Sequence, residues 1–289
     1  SYWETYAECG LAFCWIMLER IDQARPLLDH MEARARRLGN PQLVADALSR
    51  RAVIDYTAGR YAEIEATCRE LEGEFAQLTH VNVTAAPRSM LMSAEAVRDR
   101  GLVHEATARE LLGAYLRSGE IQHVPLIIGA LADILIATDR AAGAEPMLAE
   151  LAGLVEPYPY FRVRTRHRRA LVAMALDDRA TARELLDRTA EDTSAIGNLA
   201  TGAETAILLA VLDRRDRRHR AAFDHAWAGA SGAAVLGAEQ TLAAALEVLA
   251  ALLADTDRHQ AAARLLGAAG AARARAAVTI RLGWQSDHE

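Results

Sequence analysis

Along most of the chain the apolar positions return every three to four residues, the spacing of helices that bury one face. Ala24, Leu28, Met31, Ala35 and Leu38 form one stripe, and Tyr61, Ile64, Cys68, Leu71, Phe75 and Leu78 form another. Leu242, Leu246, Leu249 and Leu253 form a third, and no comparable stretch alternates as a strand would.

A longer period lies over the short one. The stretch Asp178-Arg179-Ala180-Thr181-Ala182-Arg183-Glu184-Leu185-Leu186 places a small residue three and four positions before two large ones. The same pattern recurs at Ala24 with Leu27 and Leu28, Ala108 with Leu111 and Leu112, Ala144 with Met147 and Leu148, and Ala262 with Leu265 and Leu266. Degenerate copies stand at Ala62 with Ile64 and at Ala222. The steps between the seven anchors are 38, 46, 36, 38, 40 and 40 residues. Out of phase with them run Gly39, Gly119, Gly197 and Gly237, separated by 80, 78 and 40 residues. A glycine after an apolar helix end supplies the left-handed closing residue, and the asparagines of Leu38-Gly39-Asn40 and Ile196-Gly197-Asn198 can cap the helix that follows. Asp22, Asp139, Asp178, Asp216 and Asp257 stand where a carboxylate can cap the other helix.

Two interleaved marks per repeat mean two helices per repeat. The expectation is an all-α superhelix of seven antiparallel pairs, at 3–38, 41–78, 86–118, 120–156, 158–196, 198–232 and 236–280, with a longer connection at Thr79 to Arg88. In each anchor the small residue admits a neighbouring helix and the large ones fill the groove beside it. A single pair cannot bury its own apolar face, so stacking against neighbours supplies the stability and generates a concave surface. Residues 1–289 read as one repeat domain, opening on a helix with Tyr2, Trp3, Tyr6, Phe13 and Trp15, and both ends suggest a piece of a longer protein. Trp15 and Trp227 are expected in the core.

Composition narrows the function. With 52% hydrophobic and 25% charged residues the chain can bury a large core, which argues against disorder. All 33 basic residues are arginine, a sign of GC-rich coding and hence of a bacterial source. The net charge of -6 makes direct nucleic-acid binding a minority reading, and the apolar run from Cys9 to Leu18 is too short for a membrane span. Three cysteines without metal-type spacing fit a reduced cytoplasm. No catalytic residue, metal ligand set or cofactor motif is found. His104-Glu105 lacks the second histidine of a zinc helix, Gly229-Ala230-Ser231-Gly232 lacks the spacing of a nucleophile elbow, and His167, His219, His225 and His259 are scattered over different repeats.

Gly59-Arg60-Tyr61-Ala62-Glu63-Ile64 resembles the turn inside a tetratricopeptide repeat, and the whole chain resembles a tetratricopeptide-type solenoid with long units. Ala261-Ala262-Ala263-Arg264-Leu265-Leu266-Gly267-Ala268-Ala269 is similar to the last repeat of large bacterial regulators of the LuxR-type and antibiotic-regulatory families. That resemblance implies a non-enzymatic regulatory domain that binds a small-molecule effector or a partner protein on its concave face, with ATPase and DNA-binding modules outside this chain. The phosphate-binding Gly-x-x-x-x-Gly-Lys motif is absent from residues 1–289. A free-standing adaptor, dimerising through its aromatic first helix, is the competing expectation.

The one concentrated chemical feature is Tyr160-Phe161-Arg162-Val163-Arg164-Thr165-Arg166-His167-Arg168-Arg169. Arg162, Arg166 and Arg169 share one helical face and can fork onto a phosphate or carboxylate, with Tyr160 as a stacking platform. The more ordinary reading of the same arginines is a solvated face paired to acids of neighbouring helices. A second basic run, Arg214 to Arg220, falls at a turn, where charges are ordinarily solvated.

Overall fold

The computed structural model describes residues 2–18, 20–75, 82–97, 101–119 and 123–276. Among them are fourteen α-helices and no strand. The first two pairs are α1 (Tyr2–Met17) with α2 (Ile21–Arg37) and α3 (Pro41–Thr57) with α4 (Tyr61–Gly73). Next come α5 (Asn82–Val97) with α6 (Gly101–Ser118), α7 (Val124–Ala137) with α8 (Glu145–Val155), and α9 (Pro159–Ala175) with α10 (Arg179–Ile196). The last are α11 (Leu199–Arg215) with α12 (His219–Leu236) and α13 (Glu239–Ala254) with α14 (His259–Ala276). A short 3-10 turn, Ala141–Gly143, leads into α8.

Partner helices pack on one another, and the odd-numbered helices also pack in a continuous row, α3 on α5, α5 on α7, α7 on α9, α9 on α11 and α11 on α13. That row is the inner wall of the superhelix. The anchors explain the stacking: Ala24, Ala108, Ala144, Ala182 and Ala222 are fully buried, as are Leu148 and Leu186, while Leu266 in the middle of the last helix is exposed. In α4 the anchor is Ile64, which is buried, and Ala62 lies outside on the exposed face. The degenerate copy is thus shifted, because Ile64 is the fourth residue after its cap, as Ala182 is after Asp178. Leu38, expected in the first stripe, is exposed at the end of α2.

The turns follow two rules. Between pairs, Gly39, Gly119, Gly197 and Gly237 all take positive φ, and Asn40 and Asn198 accept the backbone N–H of Leu43 and Thr201 at 3.1 and 2.9 Å. Within pairs the left-handed residue is Gly59, Asp139, Asp177, Arg217 or Asp257, an unfavoured conformation for which Asp is among the best-tolerated side chains. This corrects the expected aspartate caps. Asp178 does cap α10, through the N–H of Thr181. Asp139 and Asp257 instead bend the chain ahead of the cap, Asp216 closes α11, Asp22 lies inside α2, and Arg20, Arg60, Arg140 and Arg218 occupy the cap positions. The long connection expected at 79–88 is also shorter: α5 is already helical from Asn82 with Pro87 inside it, and 76–81 lie outside the described residues.

A polar module recurs at a fixed offset. Asp55, at the end of α3, accepts from Arg25 and Arg60 at 2.7 and 2.9 Å, and Asp213, at the end of α11, is held by Arg183 and Arg218 at 2.7 and 2.8 Å. Both carboxylates are almost completely buried, so each ties a cap arginine to the preceding pair.

The superhelix winds far enough to bring its last pair against its second and third. The Tyr61 hydroxyl hydrogen-bonds the Gln240 side-chain amide, and Ala276 at the end of α14 packs in one cluster with Tyr61, Ile64, Cys68, Met90 and Ala94. The inner row consequently encloses a lumen.

Candidate functional site

The lumen holds a cavity of about 150 Å³ with walls from α3, α5, α7, α9, α11 and α13. Its floor is apolar, with Ile136, Ala137, Leu171, Ile207 and Ala244. Its chemistry comes from Tyr56 on α3, Asp133 on α7, Arg164, His167 and Arg168 on α9, and Glu204 on α11.

The charges are not equivalent. Arg168 donates to both oxygens of Asp133, at 2.9 and 2.8 Å, a bidentate pair that neutralises itself. Gly129 makes room for it: a β-carbon there would stand 2.9 Å from the Arg168 guanidinium carbon. Arg164 has no hydrogen-bonded or ion-paired partner among the described residues. Its guanidinium lies 5.6 Å from the ring centre of Tyr56 and 5.7 Å from that of Tyr160, so two aromatic faces hold the cation while its five N–H donors look for acceptors.

Glu204 is the other unsatisfied charge. Its nearest basic atom is His167 Nε2, at 3.7 Å, beyond hydrogen-bond range. Nearly half of its side chain is accessible, but that surface faces the lumen, where burial raises its pKa against the lowering pull of Arg164 and Arg168. His167 is buried, with Nδ1 3.1 Å from Thr205 Oγ1, and burial together with Arg168 and Arg164 drives its pKa down to about 3, against which Asp133 pulls weakly. It is therefore neutral at physiological pH. The Thr201 hydroxyl in the same wall is buried with no hydrogen-bond partner among the described residues.

The residues singled out from sequence sit on the other side of α9. Arg162 and Arg166 both donate to Asp192 Oδ2 of α10, at 3.2 and 2.8 Å, and also to backbone carbonyls of Glu156 and Arg188. Arg169 donates twice to Glu145 of α8, at 3.0 and 2.6 Å. These three bind α9 to its neighbours, while Tyr160 lies edge-on to Phe161 and against Arg164, at a small side pocket shared with Tyr56 and Arg168. Arg164 and Arg168 stand in the same run but do not share a face with the other three. The available signal was on other helices: Asp133 is the single charge in the apolar helix α7, and Glu204 is the one acid in the body of α11.

Elsewhere three arginines of the second basic run are paired. Arg214 forks onto Asp255 at 2.7 and 2.9 Å, Arg218 contacts Asp213 and Asp216, and Arg220 contacts Asp224. Trp227 is 60% exposed and stacked on Phe223 at 6.4 Å, not in the core as expected, because Ala222 and Ala226 take the buried face of α12. Trp15 is half-buried against the first core cluster. Among the described residues, no group of acids, histidines or cysteines is placed to hold a metal ion, and no helix is long and apolar enough to cross a membrane.

No protein-family model and no curated protein matches the chain. Among solved structures, a Rap protein in complex with competence and sporulation factor is similar in fold, with a TM-score of 0.58 over 96% of this chain and 99% of that one, at 12% identity. The fold is a tetratricopeptide-like helical-repeat superhelix. Such a likeness at this identity speaks for the arrangement of helices alone.

Proposed function

We propose that this chain is a non-enzymatic, cytoplasmic regulatory domain that binds an anionic effector in its lumen through Arg164. The observation that carries the reading is a partly buried guanidinium held between two aromatic rings, with no hydrogen-bonded or ion-paired partner among the described residues, at the wall of the lumen cavity. A charge in that setting costs stability unless a ligand completes it, which is the mark of a site kept for binding. That the similar Rap structure was solved with a bound factor agrees with a ligand-binding use of this architecture. Arg162, Arg166 and Arg169, already held by Asp192 and Glu145, act in this reading as the brace that positions α9, and Tyr160 as part of the Arg164 clamp. Their pairing also weighs against a nucleic-acid face.

The final repeat, 261–269, supports membership of a bacterial transcriptional regulator whose ATPase and DNA-binding modules lie outside this chain. The test of the lumen is equilibrium binding and thermal shift with a panel of carboxylates, phosphates and amino acids, on the wild type and on Arg164→Gln. Binding by the wild type that the variant loses supports the reading. Binding that ignores the variant, or none to any member of the panel, refutes it.

A second reading, a protein adaptor or homodimer, draws on the exposed Trp3, Tyr6 and Phe13 of α1. Sedimentation of the wild type and of Trp3→Ser with Tyr6→Ser decides it: a concentration-dependent dimer lost in the variant supports the adaptor, and a monomer at all concentrations removes the dimer.

A further inference from the structure

The identity of the effector can be narrowed from the charges that remain once internal pairs are set aside. Arg168 and Asp133 cancel, and the buried imidazole of His167 is uncharged. What is left is one cation, Arg164, and one anion, Glu204, at corresponding places on the adjacent helices α9 and α11, with no ion pair between them. Both line the same cavity. A simple anion would satisfy Arg164 and leave Glu204 facing a second negative charge. A simple cation would do the reverse, and a phosphate dianion would meet both Glu204 and Asp133.

We propose that the lumen takes a small zwitterion of amino-acid size, its carboxylate on Arg164 and its ammonium on Glu204. The carboxylate accepts two N–H bonds from the guanidinium fork, in the plane left open between the Tyr56 and Tyr160 rings. The ammonium donates to Glu204 on α11. The apolar floor of Ile136, Leu171 and Ile207 receives an aliphatic side chain. A cavity of about 150 Å³ matches a molecule of this size.

This inference rests on the lumen being the effector site, and the experiment separates the two. The intact chain is titrated calorimetrically with the twenty common amino acids, and the tightest binder is compared with its deaminated acid and its decarboxylated amine. The expected result is a bound amino acid, with both analogues weaker by about tenfold or more, since each leaves one buried charge without a partner. Glu204→Gln should release the discrimination against the deaminated acid, and Arg164→Lys should weaken the amino acid less than Arg164→Gln does. If the deaminated acid binds as well as the amino acid, or Glu204→Gln changes nothing, the zwitterion is wrong while the Arg164 anion site stands. If neither amino acids nor their acids bind, both fall. Far-ultraviolet circular dichroism of each variant shows whether it is folded; should Arg164→Gln unfold, Arg164→Lys and Glu204→Gln carry the same comparison.

Discussion

His167 gives the lumen a measurable pH dependence. An imidazole with an ordinary pKa of 6.5 is held at about 3 in the folded chain, first by burial and then by the Arg168 and Arg164 charges. The unfolded chain thus binds a proton at a pH where the folded chain does not, and stability falls as pH drops from about 6.5 toward about 3. Each unit is worth about 1.4 kcal/mol, so between pH 7 and pH 5 the loss is about 2 kcal/mol. Glu204 acts in the opposite direction, since its raised pKa favours the folded state as pH falls, and Asp133 is already paired to Arg168. The assay must therefore isolate the histidine. Urea unfolding of the wild type and of His167→Gln at pH 7 and pH 5 does so, because Glu204 and Asp133 are common to both. The wild type should lose about 2 kcal/mol more than the variant over this interval. Equal pH dependence in the two proteins would mean that water reaches the ring, and the enclosed lumen would have to be given up.

The packing and the buried charges make three further predictions. Ala182→Leu forces a large side chain into the buried anchor of α10 and should cost about 1–3 kcal/mol in chemical denaturation, with a neutral result removing the packing rule. Gly229→Ala would set a β-carbon 2.6 Å from Ile207 Cγ1 and 3.0 Å from the Ala203 carbonyl, so its melting temperature should fall despite a helix-propensity gain of about 1 kcal/mol, whereas Gly153→Ala, with nothing within 4 Å, should rise. Asp55→Asn and Asp213→Asn each take the buried negative charge from between two arginines and put amide N–H donors beside them, and should each cost about 1.5–3 kcal/mol; a change below about 0.5 kcal/mol would demote the module to a surface ion pair.

Much of the architecture was legible because stacking repeats a demand. Most second helices need a small residue where a neighbour crosses, and four of the turns between pairs close on a left-handed glycine, so Ala24, Ala182, Gly39 and Gly197 mark positions by necessity. The aspartates before the second helices were visible too, yet their role was misread. Asp139 and Asp257 are there because their backbone must bend, and a sequence shows a turn residue and a cap residue in the same letters. Trp227 was misplaced for a related reason. On α12 the alanines pack and the tryptophan does not, the reverse of what side-chain size suggests.

The lumen was not legible from any one helix, and the reason lies in the repeat. Counting from the residue before each inner helix, the sixth position is Gly129 on α7, Arg164 on α9, Glu204 on α11 and Ala244 on α13, and the tenth is Asp133, Arg168, Leu208 and Val248. On α9 and α11 the sixth place lines the lumen with Arg164 and Glu204, and on α7 and α9 the tenth place does so with Asp133 and Arg168, whereas α13 holds Ala244 and Val248 at the same two places. The charged exceptions come from three different pairs, so the run on α9 looks like one basic helix until its neighbours' acids are assigned. Asp192 and Glu145 take the outer arginines and Asp133 takes Arg168. Arg164 is what remains, a cation whose nearest companions are rings and whose repeat-equivalent neighbour is an equally unpaired acid. In a solenoid the packing is written in what repeats, and the binding chemistry in the inward positions where the repeat is broken.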